Sequence, residues 1–102
     1  MKTTSVENVI KAFLNGEEAQ TANGSLRSEK MNDGGEIKTL LIGYNWAIYA
    51  EQWNGQFYFH AGWHGYSPTT SKHYNKAHYM AALQAGPQGV CIQDEDKPQM
   101  PY

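Results

Sequence analysis

Residues 44–61, Tyr44-Asn-Trp-Ala-Ile-Tyr49-Ala-Glu-Gln-Trp53-Asn54-Gly55-Gln-Phe-Tyr58-Phe-His60-Ala61, decide how the rest of the chain is read. Asn54-Gly55 is the preferred two-residue hairpin turn, because both central positions of a type I′ turn need positive φ. Trp53 then faces Gln56, Gln52 faces Phe57, Ala50 faces Phe59 and Ile48 faces Ala61. That set is mostly apolar and predicts an inward face. The alternate set pairs Tyr49 with His60 and Glu51 with Tyr58. It predicts a polar–aromatic, half-exposed face. Gly62 is placed to bulge the ladder before Trp46 could meet Trp63.

Upstream, Ile37, Leu40, Leu41 and Ile42 mark a strand over residues 36–42. Gly34-Gly35 turns it back on a short edge strand in which Leu26, Ser28 and Lys30 alternate with Arg27 and Glu29. Further upstream, Val6, Val9, Ile10, Phe13 and Leu14 recur at helical spacing and share one face. Ser5 is the expected N-cap and Gly16 the stop. Downstream, residues 71–85 read as a second helix, capped by Thr69, Thr70 or Ser71 and ended by Gly86-Pro87. Tyr74, Ala77, Ala81 and Ala85 form its expected buried stripe. Residues 89–92 allow one more short strand. The predicted fold is α+β: a helix, a three- to four-stranded antiparallel sheet and a helix, with both helices on one face.

Composition sets bounds on function. A chain of 102 residues with 40% hydrophobic and 18% charged residues fits one folded domain, placed at residues 1–92. Residues 93–102, with Pro98 and Pro101, are expected to form a mobile acidic tail. Eight basic against 10 acidic residues leave a net charge of −2, which opposes a general nucleic-acid binder. A single cysteine, Cys91, forms no internal disulfide and points to a reducing, cytoplasmic setting. No apolar run approaches a membrane span, so no membrane partner is expected.

The stretch from His60 to His78 holds all four histidines, two lysines and no acid. Within it, Ser67, Thr69, Thr70, Ser71, Lys72 and His73 converge where a loop becomes a helix. Free N–H groups and hydroxyls there suit an anionic ligand, or simply a well-capped helix start. The run Tyr66-Ser67-Pro68-Thr69-Thr70-Ser71-Lys72-His73, followed by Asn75, resembles a motif in a family of small bacteriophage and mobile-element proteins. Val9-Ile10-Lys11-Ala12-Phe13-Leu14-Asn15-Gly16 also looks like that family's opening. The resemblance implies a phage context, the cytoplasm of a bacterial host and a host-directed role. It brings no catalytic residues, and the Gly62-Trp63-His64-Gly65 approach and the acidic extension depart from its pattern.

Site chemistry narrows the choice further. The histidines and Cys91 do not match a zinc-site spacing: His73 and His78 lie about 140° apart around a helix of 3.6 residues per turn. Ser67 and Ser71 lack a nucleophile elbow. Neither a cofactor nor an enzymatic role is expected. Aromatics at 13% exceed what a thin core hides, and Trp and Tyr dominate interface energetics. The expected contact surface is Tyr49, Trp53, Tyr58, His60, Trp63, Tyr66, Thr69, Thr70, Ser71, Lys72 and His73. The expected function is non-enzymatic binding of a host protein or complex, such as a bacterial defence system blocked by an anti-CRISPR-like inhibitor. The alternative is a nucleic-acid-binding accessory protein that uses the aromatic sheet face and the Thr/Ser/Lys helix start. An exposed aromatic face is also compatible with a homodimer.

Overall fold

The computed structural model describes residues 2–44, 47–60 and 67–93. In chain order these form β1 (Lys2–Thr4), α1 (Val6–Leu14), β2 (Ala19–Thr21), β3 (Leu26–Asp33), β4 (Glu36–Gly43), β5 (Ala47–Trp53), β6 (Gln56–His60), α2 (Pro68–Ala85) and β7 (Val90–Gln93). All seven strands join one sheet in sequential order. The expected three- to four-stranded antiparallel sheet is therefore corrected to a seven-stranded mixed one.

The middle of the sheet is a meander, and its two ends are different. β1 pairs with β2 in parallel, as does β6 with β7. Each parallel pair is joined by a helix, so α1 and α2 are crossovers rather than separate covers. Between β2 and β6 every pairing is antiparallel, and β6 points the same way as β2. Two crossovers of the usual right hand, starting from strands of equal direction, put their helices on the same side of the sheet. The helices do lie side by side: Lys76 Nζ is 3.7 Å from Glu7 Oε1, and Gln84 Nε2 donates to the Leu14 carbonyl at 3.3 Å. Gln52 Nε2 reaches the same carbonyl from β5 at 3.2 Å. Side-chain amides from the sheet and from α2 thus occupy a carbonyl that the end of α1 leaves without a helical partner.

Local chemistry explains the elements. Ser5 Oγ accepts from Asn8 N at 3.3 Å and caps α1, which buries Val9, Ile10, Phe13 and Leu14. Gly34-Gly35 forms the tight turn between β3 and β4, both at positive φ, and the Asn32 side chain accepts from Gly35 N. Asn54 and Gly55 carry φ of +56° and +78°, as a type I′ turn requires. β3 runs for eight residues between β2 and β4, and is not the short edge strand expected.

The main core lies between helices and sheet, while Leu40 and Ile42 of β4 are buried on the opposite face. Phe57 and Phe59 project from β6, with Phe13 of α1 at 5.7 Å from Phe57 and Tyr74 of α2 edge-on to Phe59 at 5.5 Å. Ala77 and Ala81 keep α2 thin where the sheet presents these rings. Among the described residues no helix is long and apolar enough to cross a membrane.

One irregularity reorders the hairpin. Leu41 pairs with Ala50, but Ile42 pairs with Ile48, so β5 carries an extra residue at Tyr49. Ala47, Tyr49 and Ala50 consequently all enter the core, while Ile48 turns outward. Tyr49 is fully buried, against the expectation that it faces His60 on the open side. Its ring lies where a Cβ at Gly43 would be, so only glycine fits there.

Candidate binding surface

The helices cover one face of the sheet, and the side chains of the opposite face build the site. Phe57 and Phe59 point inward, so Gln56, Tyr58 and His60 alternate outward along β6. On β5, Glu51 is paired with Tyr58, and Trp53 with Gln56. On β4, Lys38 occupies an outward position.

These groups are mutually engaged. Glu51 Oε2 lies 3.0 Å from His60 Nε2, and Glu51 Oε1 lies 3.7 Å from Lys38 Nζ. Lys38 Nζ also stands 5.8 Å from the centre of the Trp53 ring. The hydrogen bond to His60, helped by the charges of His60 and Lys38, holds the Glu51 carboxyl below its ordinary pKa despite partial burial. Trp53 and Tyr58 stand 6.4 Å apart with their planes tilted by 37°. Lys38, Glu51, Trp53 and Tyr58 line a shallow notch of about 250 Å³. That is below the usual range for a drug-sized ligand and suits one or two side chains of a macromolecule. Arg27 and Glu29 add an ion pair at 2.9 Å on the same face.

The α2 start is a different place with a different role. Ser67, not Thr69, Thr70 or Ser71, is the N-cap: its Oγ accepts from Thr70 N at 3.1 Å. Pro68 takes the first helical position, where its missing N–H costs nothing. The expected cap is corrected accordingly, and the helix begins three residues earlier than expected. Thr70 is buried, with its hydroxyl 3.5 Å from the Tyr49 hydroxyl. Burial pushes the Tyr49 phenol up, while that hydrogen bond opposes the rise. His73 is also buried, and its Nδ1 has no hydrogen-bond partner. Burial, and then the charge of Lys72, press the His73 pKa down. Ser71 is half-buried, and only Thr69 and Lys72 of the hydroxyl-rich run are exposed.

The single surface expected from sequence therefore separates. Trp53, Tyr58 and His60 share the outer sheet face. Thr69 and Lys72 belong to the helix layer on the other side. Tyr49, Thr70 and His73 are interior. Trp63 and Tyr66 lie outside the described residues, as do Trp46 and residues 94–102. Sequence reasoning placed Glu51 on the polar–aromatic face but included neither Glu51 nor Lys38 among the expected contact residues. The pairing of Glu51 with Tyr58 was the available signal for Glu51. Lys38 gave none, since its place depends on the β4–β5 register across a bulge.

A second hollow of about 510 Å³ runs along the seam of the helices, between Lys11 and Leu14 of α1, Asn15 just after it, and Met80, Leu83 and Gln84 of α2. Its exposed wall is mostly apolar, with Lys11, Asn15 and Gln84 at its polar positions. Compared with family models, curated proteins and solved structures, the chain has no match.

Proposed function

We propose that this chain works without catalysis, by gripping another protein with the outer face of its sheet. One observation carries the reading: the Trp53–Tyr58 notch sits beside the Lys38–Glu51–His60 cluster on the sheet face opposite α1 and α2. Rigid aromatic anchors flanked by paired polar groups are the usual energetic centre of a protein interface. Ile48 and Met31 extend the exposed apolar area. The phage-like resemblance of residues 66–75 supplies the context of a bacterial host protein, with inhibition of a defence system as one concrete form.

The nucleic-acid alternative draws less support. Arg27 and Lys38 on this face are matched by Glu29 and Glu51, so phosphates would meet no net positive field. At the α2 start, Ser67 already occupies the Thr70 N–H and Thr70 faces inward.

The test is affinity capture from bacterial lysate with the intact chain, with and without nuclease, beside Trp53→Ala. Nuclease should leave the captured protein unchanged. Trp53→Ala should lower capture at least tenfold, the loss expected of an interface hot spot, with thermal stability near that of the parent. Capture that survives Trp53→Ala, or that nuclease abolishes, would reject the reading.

A further inference from the structure

Three of the four residues that line the notch attract positive charge. Glu51 supplies a carboxylate, and the faces of Trp53 and Tyr58 carry the negative side of an aromatic quadrupole. The fourth, Lys38, shows that preference within the chain itself. Its ammonium stands 5.8 Å from the centre of the Trp53 ring and 3.7 Å from Glu51 Oε1. At 3.7 Å the ammonium is beyond a good N–H···O hydrogen bond to that oxygen. Glu51 Oε2, by contrast, lies 3.0 Å from His60 Nε2, which fixes the direction of the carboxylate. Oε1 is thus the oxygen that a better-shaped donor can take.

Shape selects the cation. A guanidinium is flat and weakly hydrated, and its N–H groups form a fork, so it stacks on a ring while it donates to a carboxylate. An ammonium is a compact, strongly hydrated charge. The notch offers ring and carboxylate together. Glu51 is paired with Tyr58, Trp53 lies two residues along the same strand face, and the two rings stand 6.4 Å apart with a tilt of 37°. Trp53, Tyr58 and Glu51 are each half-buried, so charges here are screened less than on an open surface. The volume of about 250 Å³ accommodates one side chain of arginine's size. A partner carboxylate fits less well, because it would meet a lysine already matched by Glu51 and two ring faces that repel it.

We propose that the notch receives an arginine side chain of the partner protein, which stacks on Trp53, donates to Glu51 and displaces the Lys38 ammonium. Lys38 is then a tethered competitor that holds the site until the partner arrives. The partner's use of the site rests on the proposed function; the arginine site itself does not.

The experiment follows the Trp53 indole N–H of the intact chain by NMR, assigned by its loss in Trp53→Phe, as the blocked tripeptide acetyl-Gly-Arg-Gly-amide is added. The titration runs to about 50 mM, beyond the millimolar affinity that a ligand of this size reaches at ordinary efficiency. The arginine peptide should shift the signal saturably, and its lysine and glutamate counterparts should bind about fivefold more weakly or worse. Lys38→Met keeps an unbranched stem and removes the charge. It should tighten the arginine peptide about fivefold, the effect of one unit charge a few ångströms away in a partly wet site. Glu51→Gln should weaken it about tenfold. A gain of affinity cannot come from a misfolded chain, so Lys38→Met keeps the test decisive if Glu51→Gln disturbs the sheet. No saturable shift with the arginine peptide, an equal response to the lysine or glutamate peptide, or an affinity that Lys38→Met fails to raise would overturn the arginine site. If the arginine peptide binds while Trp53→Ala leaves lysate capture intact, the proposed function fails and the site stands. If Trp53→Ala abolishes capture while the arginine peptide leaves the signal unmoved, the proposed function stands and the arginine site fails.

Discussion

Tyr49 shows how much a single residue can redirect. Strict alternation would send it out beside His60, but the extra residue in β5 turns it inward against Thr70 and Gly43. A bulge of this kind has no local sequence signal here, because it answers to the fit between β4, β5 and α2. His73 is a second case, a polar side chain of the motif that ends in the interior. Its depressed pKa has a consequence with a definite sign. Between the ordinary histidine value, near 6.5, and the lower folded value, the unfolded chain binds more protons than the folded one. Stability is therefore full above that window and declines as pH falls through it. Chemical denaturation of the parent and of His73→Gln at pH 7.5, 6.5 and 5.5 isolates the effect from His60 and His78. The parent should lose stability relative to the variant as pH drops; parallel curves would place His73 in water.

Among the elements, α2 best separates cap from site. Three hydroxyls follow Pro68, and propensity ranks them all as acceptable caps. The geometry selects the one before the proline, since Pro68 fits the first helical position and Ser67 reaches Thr70 N. Ser67→Ala should cost about 1 kcal/mol in urea denaturation. Thr69→Ala, at an exposed position, should stay within about 0.5 kcal/mol. The reverse order would return the cap to the hydroxyl run. α1 was legible throughout, with its apolar spacing, its Ser5 cap and its Gly16 stop all expressed locally. So were the turns at Gly34-Gly35 and Asn54-Gly55, where the chain needs positive φ. β1 and β2, at three residues each, are too short to show a period of two.

At the scale of the whole molecule, a meander closed at both ends by crossover helices sets a gradient of stability. β4 is flanked on both sides by long strands, whereas β1 and β7 each have one neighbour. Native-state hydrogen exchange should find the slowest amides in β4, β5 and α1, and the fastest strand amides in β1 and β7. Uniform protection across the sheet would contradict the edge assignment. The proposed binding face follows from the same layout, because both helices fall on one side and leave Lys38, Glu51, Trp53 and Tyr58 on the other. Helix faces, caps and tight turns could be read along the chain because they depend on neighbours within a few residues. The parallel pairings, the bulge at Tyr49 and the meeting of Lys38 with Glu51 join residues distant in the chain or poised between two registers. Their positions are settled only when the sheet and helices pack together and one arrangement buries Tyr49, Phe57 and Phe59 at once.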